Sequence, residues 1–72
     1  MSLDFKTALE AGILAQKNGK LRQAEEAYRS ILRENPDHPD ALHLLGTIAF
    51  RAGKAADAVA LIRRAIAINP SN

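Results

Sequence analysis

The chain has 72 residues, of which 47% are apolar, 25% charged and 4% aromatic, and its formal net charge is +2. These values exclude an intrinsically disordered chain and indicate one small globular domain. Because cysteine is absent, the chain has neither a disulfide framework nor a thiolate zinc site. Its core therefore depends on packing alone.

The distribution of charge and of apolar residues argues against nucleic acid and membrane as partners. The basic excess is small and mixed with acidic residues, whereas nucleic-acid-binding surfaces usually form a basic stripe with aromatic stacking platforms. No apolar run approaches the roughly 18 residues needed to cross a bilayer, and the first residues lack the basic and apolar regions of a signal peptide. We expect a cytoplasmic protein.

The first predicted helix begins just after Asp4 and ends at about Lys17. Ser2 or Asp4 can cap it, since either side chain offers an oxygen to the free amides of the first turn. Apolar and small residues recur every three or four positions and give the helix one apolar face: Phe5, Ala8, Leu9, Ala11, Gly12 and Ala15. Asn18 and Gly19 end the helix, because both residue types accept the left-handed conformation.

The second predicted helix covers residues 21–34. Its apolar side consists of Leu21, Ala24, Tyr28, Ile31 and Leu32. Glu25 and Arg29 lie four residues apart on the opposite, polar side, a spacing at which an ion pair contributes roughly 0.2 to 0.5 kcal/mol. We interpret that side as a solvated face rather than a binding site.

A proline-rich stretch separates these two helices from a second pair. Pro39 is suited to the first position of the next helix, which Asp37 or His38 can cap. The third helix is predicted at residues 39–51 and the fourth at residues 55–69. The fourth is apolar on nearly all sides, so we expect another element or another copy to cover it.

The second pair of helices repeats the first at a spacing of 34 residues. Eight positions of the second unit are identical to those 34 residues earlier: Gly46, Ala49, Gly53, Lys54, Ala58, Arg63, Asn69 and Pro70. A period of about 20 to 50 residues is typical of stacked repeats, and 34 residues is the length of one helix-turn-helix repeat. Gly12 and Gly46 are predicted to let the two helices of each pair approach closely.

These positions resemble the tetratricopeptide repeat family. In the first unit the family pattern falls on Ala8, Ala11, Gly12, Ala15, Ala24, Tyr28, Ile31 and Pro36. In the second it falls on Leu42, Leu45, Gly46, Ala49, Ala58, Ile62, Ala65 and Pro70. The resemblance implies an all-α fold of four antiparallel helices in two helix-turn-helix repeats, a short right-handed α-solenoid. It also implies an N-terminal cap at residues 1–4 and repeats at residues 5–38 and 39–72.

In this family the first helix of each repeat lines a concave groove that binds a peptide or a helix. The resemblance places the groove on Lys6, Leu9, Glu10, Ile13, Gln16, Lys17, Asp40, His43, Leu44, Thr47, Phe50 and Arg51. Within this set His43, Thr47 and Phe50 form one stripe along a helix. Phe50 is equally compatible with groove contact and with ordinary packing. We predict an interaction scaffold with a protein or peptide ligand.

One subfamily grips C-terminal carboxylates with lysine, arginine and asparagine side chains from these helices. The matching positions here are Leu9, Ile13 and Leu44. Aliphatic side chains cannot donate hydrogen bonds to a carboxylate, so this activity is not expected.

Two further hypotheses remain open. In the first, the chain forms a homo-oligomer, because two repeats fall below the roughly three needed for independent stability. The surface would be the apolar flank of the last helix, defined by Val59, Leu61, Ile62, Ala65, Ile66 and Ile68. In the second, the chain is the N-terminal recruiting segment of a larger glycosyltransferase-like enzyme, because it loosely resembles bacterial repeats found ahead of such domains. A fragment of a longer protein or a designed chain is compatible with both.

Residue types for catalysis or metal binding do not occur at useful spacings. His38 and His43 are five residues apart, whereas metal ligands on one helix need a spacing of three or four. Glycines occur singly, without a phosphate-binding loop, and no serine lies at helical spacing from a histidine. We expect no enzyme activity, no cofactor and no metal.

Overall fold

The computed structural model describes residues 4–69, which form four α-helices. They are α1 (Phe5–Lys17), α2 (Leu21–Glu34), α3 (Pro39–Arg51) and α4 (Ala55–Ile68). Helix α1 packs against α2 and α3 packs against α4, while α2 joins the two pairs by packing against α3. The predicted all-α arrangement of two helix-turn-helix units is confirmed, with α4 ending one residue earlier than predicted. The division into a cap at residues 1–4 and units at residues 5–38 and 39–72 stays a prediction.

Asp4 caps α1, while Ser2, the alternative cap, lies outside the described residues. The Asp4 carboxylate accepts hydrogen bonds from the backbone N–H groups of Lys6 and Thr7 and, at 2.7 Å, from the Thr7 hydroxyl. The bond from the Thr7 side chain is the main cause that lowers the pKa of Asp4. The stabilising effect of this cap is therefore present above the unfolded-state pKa and is lost as the pH falls through the lower folded-state value.

The turns between the helices of each pair are alike. Gly19 and Gly53 have φ angles of 75° and 79°, the left-handed region in which glycine is favoured. In both turns the next residue, Lys20 or Lys54, donates its backbone N–H to the carbonyl five residues earlier, at 2.8 and 2.9 Å. These bonds satisfy a free carbonyl at the end of each first helix, which confirms the predicted helix termination.

His38 caps α3, which decides between the two predicted caps. Its Nδ1 atom accepts a hydrogen bond from the backbone N–H of Ala41 at 3.2 Å, and Pro39 occupies the first turn. The His38 ring also meets the ring of Phe5 edge-on, with centroids 5.3 Å apart. One side chain therefore caps the second helix pair and contacts the start of the first.

Replacing His38 by alanine is expected to lower the free energy of unfolding by roughly 0.5 to 2 kcal/mol, the range for loss of a helix cap. His38→Asn restores an oxygen that can accept the Ala41 N–H bond but removes the ring contact with Phe5. Urea unfolding followed by circular dichroism compares the two variants. If both lose the same stability, the ring contact and not the cap accounts for the role of His38.

The core lies between α2 and α3. Tyr28 and Ala24 of α2 are fully buried and cluster with Leu45 and Ile48 of α3. The Tyr28 hydroxyl donates a hydrogen bond to Oε1 of Gln16 at 3.0 Å, so the buried ring keeps a polar partner. Burial raises the pKa of Tyr28 above its ordinary value of 10.0.

The close approach predicted at the two helical glycines is confirmed. A Cβ atom added to Gly12 would lie 2.9 Å from Cζ of Tyr28, and one added to Gly46 would lie 2.8 Å from Cγ1 of Ile62. Each glycine therefore provides the space that a large side chain from the second helix of its unit fills.

Candidate protein-binding groove

A depression of about 370 Å³ lies between α1 and α3, the first helices of the two units. Its lining residues all belong to the predicted groove set and are Ile13, Gln16, Lys17, Leu44 and Arg51. We call this depression the α1–α3 groove. The structure thus brings together five positions that lie on two helices separated by the whole of α2.

The apolar part of the α1–α3 groove is formed by Ile13 and Leu44. Leu44 also packs against the core cluster, which holds it in place, whereas Ile13 is exposed. Gln16 lies beside them, and its Oε1 atom is engaged by the Tyr28 hydroxyl. That bond leaves the amide NH₂ group of Gln16 as the donor that a ligand can use.

The basic part of the α1–α3 groove is formed by Lys17 and Arg51, the last residues of their helices. Both side chains are exposed, and no carboxylate from residues 4–69 lines the same depression. Cations at helix C-termini interact favourably with the helix dipole. Here they also place two positive charges beside an apolar surface.

Four other predicted groove residues are exposed or half-buried but do not line this depression. Lys6 and Glu10 are exposed on α1. Thr47 donates its hydroxyl hydrogen to the backbone carbonyl of His43 at 3.1 Å, so it is partly engaged within α3. Phe50 is 69% exposed, which excludes the alternative in which it packs in the core.

The remaining predicted groove residues serve other surfaces. Leu9 packs against the core cluster. Asp40 and His43 line a second depression of about 370 Å³, between α3 and α4. Its other lining residues are Pro39, Ile62, Ala65, Ile66 and Asn69. We call it the α3–α4 groove, and the predicted single surface is thus divided between two depressions.

The predicted self-association flank is also divided. Val59, Ile66 and Ile68 are exposed on α4. Ala65 is buried, Leu61 packs against the core cluster, and Ile62 fills the space left by Gly46. Those three residues hold α4 against the rest of the chain, while Ile62 and Ala65 also line the α3–α4 groove beside the exposed Ile66. The equivalents of Ile62 and Ala65 in the first unit, Tyr28 and Ile31, are buried, and the equivalent of Leu61, Ala27, is half-buried.

Sequence reasoning missed the long-range contact made by Arg64. Arg64 of α4 donates a hydrogen bond to the backbone carbonyl of Pro36 at 2.9 Å and lies 3.9 Å from the Asp37 carboxylate. It therefore ties the last helix to the connection between the two units. By contrast, the ion pair predicted between Glu25 and Arg29 is present at 2.8 Å and exposed.

Residues 4–69 contain neither a cluster of metal ligands nor a membrane-spanning helix. No group of three His, Asp or Glu side chains there is placed to hold a metal ion. No helix in that part of the chain is both long and apolar enough to cross a membrane.

Comparison with known proteins identifies one matching family model and two relatives. A family model of the tetratricopeptide repeat matches residues 9–72. The chain is 38% identical over 65 residues to the cellulose synthase operon protein C of Komagataeibacter xylinus, which covers 90% of the chain. It is 33% identical over 63 residues to the cellulose synthase 1 operon protein C of the same organism, which covers 88% of the chain.

The chain spans only 5% of the length of each of these two relatives. The family model, by contrast, covers most of the chain and includes both helix pairs except the start of α1. The helix-turn-helix units, the glycine turns and the packed glycines agree with it. The chain therefore belongs to the tetratricopeptide repeat family, whose repeats generally act as non-catalytic scaffolds for protein–protein interaction.

Proposed function

We propose that the chain binds a protein segment in the α1–α3 groove, and that this segment presents an apolar side chain next to an acidic group. The supporting observation is that Ile13 and Leu44 line the same depression as Lys17 and Arg51. An apolar side chain would contact the first pair, and a carboxylate would lie near the second.

The two parts of the groove contribute differently to binding. Burial of one leucine-sized side chain contributes roughly 1.5 to 3 kcal/mol, whereas an exposed ion pair contributes roughly 0 to 1 kcal/mol. Apolar contact therefore supplies most of the affinity, while the charges of Lys17 and Arg51 select an acidic partner and speed its association. We expect weak binding that becomes weaker as salt screens the charges.

This mode differs from the carboxylate grip of the family. The positions that would supply the grip are Leu9, Ile13 and Leu44, and none of these side chains can donate a hydrogen bond. The cations of the α1–α3 groove come from the helix ends instead. We therefore propose recognition of an acidic side chain within a segment and not of a chain terminus.

Reversing the charges of Lys17 and Arg51 should make the α1–α3 groove prefer a basic peptide to an acidic one. Two blocked peptides serve as probes, one of repeated leucine and glutamate and one in which lysine replaces glutamate. We expect the unaltered chain to prefer the leucine–glutamate peptide, and Lys17→Glu with Arg51→Glu to prefer the leucine–lysine peptide. Fluorescence anisotropy at low and high salt measures the two affinities.

A matched control changes the same charge elsewhere. Arg22→Glu with Arg63→Glu makes two equal reversals on α2 and α4, outside the groove, and should leave the preference for the leucine–glutamate peptide in place. Equal loss in both double variants would mean that net charge, not the groove, selects the peptide. Separately, His43→Ala with Phe50→Ala tests the wider predicted surface, since a loss of binding there would extend the site along α3.

A second candidate function follows from the relatives. We propose that the chain is a recruiting segment of a longer protein that works with a polysaccharide-synthesising enzyme. Support comes from two relatives named for a cellulose synthase operon, of which this chain matches a small part. Pull-down of cellulose synthase subunits by the chain tests this idea, and failure of the subunits to bind would count against it. A cytoplasmic location stays a prediction from the sequence.

A further inference from the structure

The contact between the two units is made by one face of α3. Leu45 and Ile48 of α3 cluster with Ala24 and Tyr28 of α2, and Ile48 is only 5% exposed. Ala41, one turn earlier on α3, is fully buried. This face of α3 inserts into the surface of the first unit.

Helix α1 presents an uncovered version of the same face. The residues 34 positions before Ala41, Leu45 and Ile48 are Thr7, Ala11 and Leu14. All three are exposed, and Leu14 is 61% exposed where its equivalent is buried. The first unit therefore displays, at its outer side, an apolar position that the second unit uses for packing.

The second unit has an exposed surface equivalent to the one that α3 packs against in the first unit. In the first unit Leu32 packs against the core cluster that α3 completes, and Phe5 contacts the cap of α3. Their equivalents in the second unit are Ile66, which is 57% exposed, and Pro39, and both line the α3–α4 groove. The groove also includes Ile62, the equivalent of Tyr28, so three of its positions correspond to positions that contact α3 or its cap in the first unit.

We propose that copies of this chain associate head to tail, with α1 of one copy in the α3–α4 groove of another. Leu14 would take the place of Ile48, and Ala11 that of Leu45. A second copy fits as the occupant because the two faces are the halves of an interface already present between the units. Because Ala11 is smaller than Leu45, this contact is weaker than the internal one. Such a contact joins unlike faces, so it builds chains of copies rather than stopping at a symmetric dimer.

Complementation between two variants tests this arrangement. Leu14→Glu disables the α1 face and Ile66→Glu disables the α3–α4 groove, and each variant keeps the other face intact. We expect the average mass of the unaltered chain, measured by light scattering, to rise with concentration beyond twice the 7.8 kDa of one chain. Each variant alone should be monomeric, and their equimolar mixture should form a 1:1 dimer and nothing larger.

Ile68→Glu is the matched control, because Ile68 is exposed and its equivalent in the first unit is already an exposed glutamate, Glu34. It should associate like the unaltered chain. Circular dichroism on the same samples checks folding, and Leu14→Lys with Ile66→Lys repeats the mixture with the opposite charge. An unaltered chain that is monomeric at every concentration would overturn the proposal. So would a Leu14 variant that still associates, or a mixture that remains monomeric.

Discussion

Replacement of Tyr28 by alanine is expected to remove a large share of the stability of the chain. Removing a fully buried aromatic ring costs roughly 3 to 5 kcal/mol, and Tyr28 is the largest fully buried side chain of the described core. At roughly 0.05 to 0.15 kcal/mol per residue, the whole chain has only about 4 to 11 kcal/mol of stability. Circular dichroism during urea unfolding measures the loss, and a variant within about 1 kcal/mol of the unaltered chain would contradict the central place given to this ring.

Tyr28→Phe separates the contribution of the ring to stability from that of the hydroxyl. This variant keeps the buried ring and loses the bond to Gln16, so we expect it to fold with a loss of about 1 kcal/mol. A larger loss, equal to that of the alanine variant, would mean that the hydroxyl and not the ring holds the core.

The unaltered chain and Tyr28→Phe are expected to differ in how their stability depends on alkaline pH. Burial raises the pKa of Tyr28 above 10.0, so as the pH rises the unfolded chain ionises first and binds fewer protons than the folded chain. Stability should therefore fall above pH 10.0, and this part of the fall should be absent in Tyr28→Phe. Because the chain has one tyrosine, absorbance of tyrosinate reports this residue directly.

Gly12→Ala is the second substitution with a large expected effect. Its new Cβ atom would meet the Tyr28 ring, which is rigid and fully buried. Overpacking costs roughly 1 to 3 kcal/mol, which exceeds or matches the gain of about 1 kcal/mol that alanine brings to a helix. Gly46→Ala would place its Cβ atom 2.8 Å from Cγ1 of Ile62, a less close approach than that of Gly12→Ala to the Tyr28 ring, so it should be the milder variant.

A double-mutant cycle tests whether contact with the Tyr28 ring causes the destabilisation expected for Gly12→Ala. Gly12→Ala combined with Tyr28→Leu removes the ring that the new Cβ atom meets, so the two changes together should cost less than the sum of their separate effects. Additive losses in urea unfolding, or a Gly12→Ala variant more stable than the unaltered chain, would show that the close approach of α1 and α2 does not limit this position.

Much of the fold could be predicted from local signals. Gly19 and Gly53 end helices because of their own backbone freedom, and Pro39 begins one because of its fixed φ angle. The repeat register extended these signals from one unit to the other. For these reasons the helix bounds and the packed glycines agree with the sequence prediction.

The division of the groove could not be predicted in the same way. His43 and Leu44 are neighbours in sequence, but one lines the α3–α4 groove and the other the α1–α3 groove. Helical periodicity separates the two side chains around α3 without saying which helix each will face. Phe50 raised the same difficulty, because an apolar side chain is compatible with either environment until the covering elements are placed.

Contacts between distant residues were beyond the reach of the sequence pattern. Arg64 binds the Pro36 carbonyl across 28 positions of the chain, and no local spacing marks that pair. Ala65 is buried and Ile62 half-buried because both pack against the rest of the chain, and the apolar pattern of α4 does not distinguish them from its exposed residues.

We propose above all that the α1–α3 groove binds acidic, apolar protein segments. The most direct measurement is amide chemical-shift mapping by NMR while the chain is titrated with the leucine–glutamate peptide. We expect the largest shifts at Ile13 to Lys17 of α1 and at Leu44 to Arg51 of α3. Shifts confined to the α3–α4 groove, or no shifts at the highest peptide concentration, would show that the peptide does not bind in the α1–α3 groove.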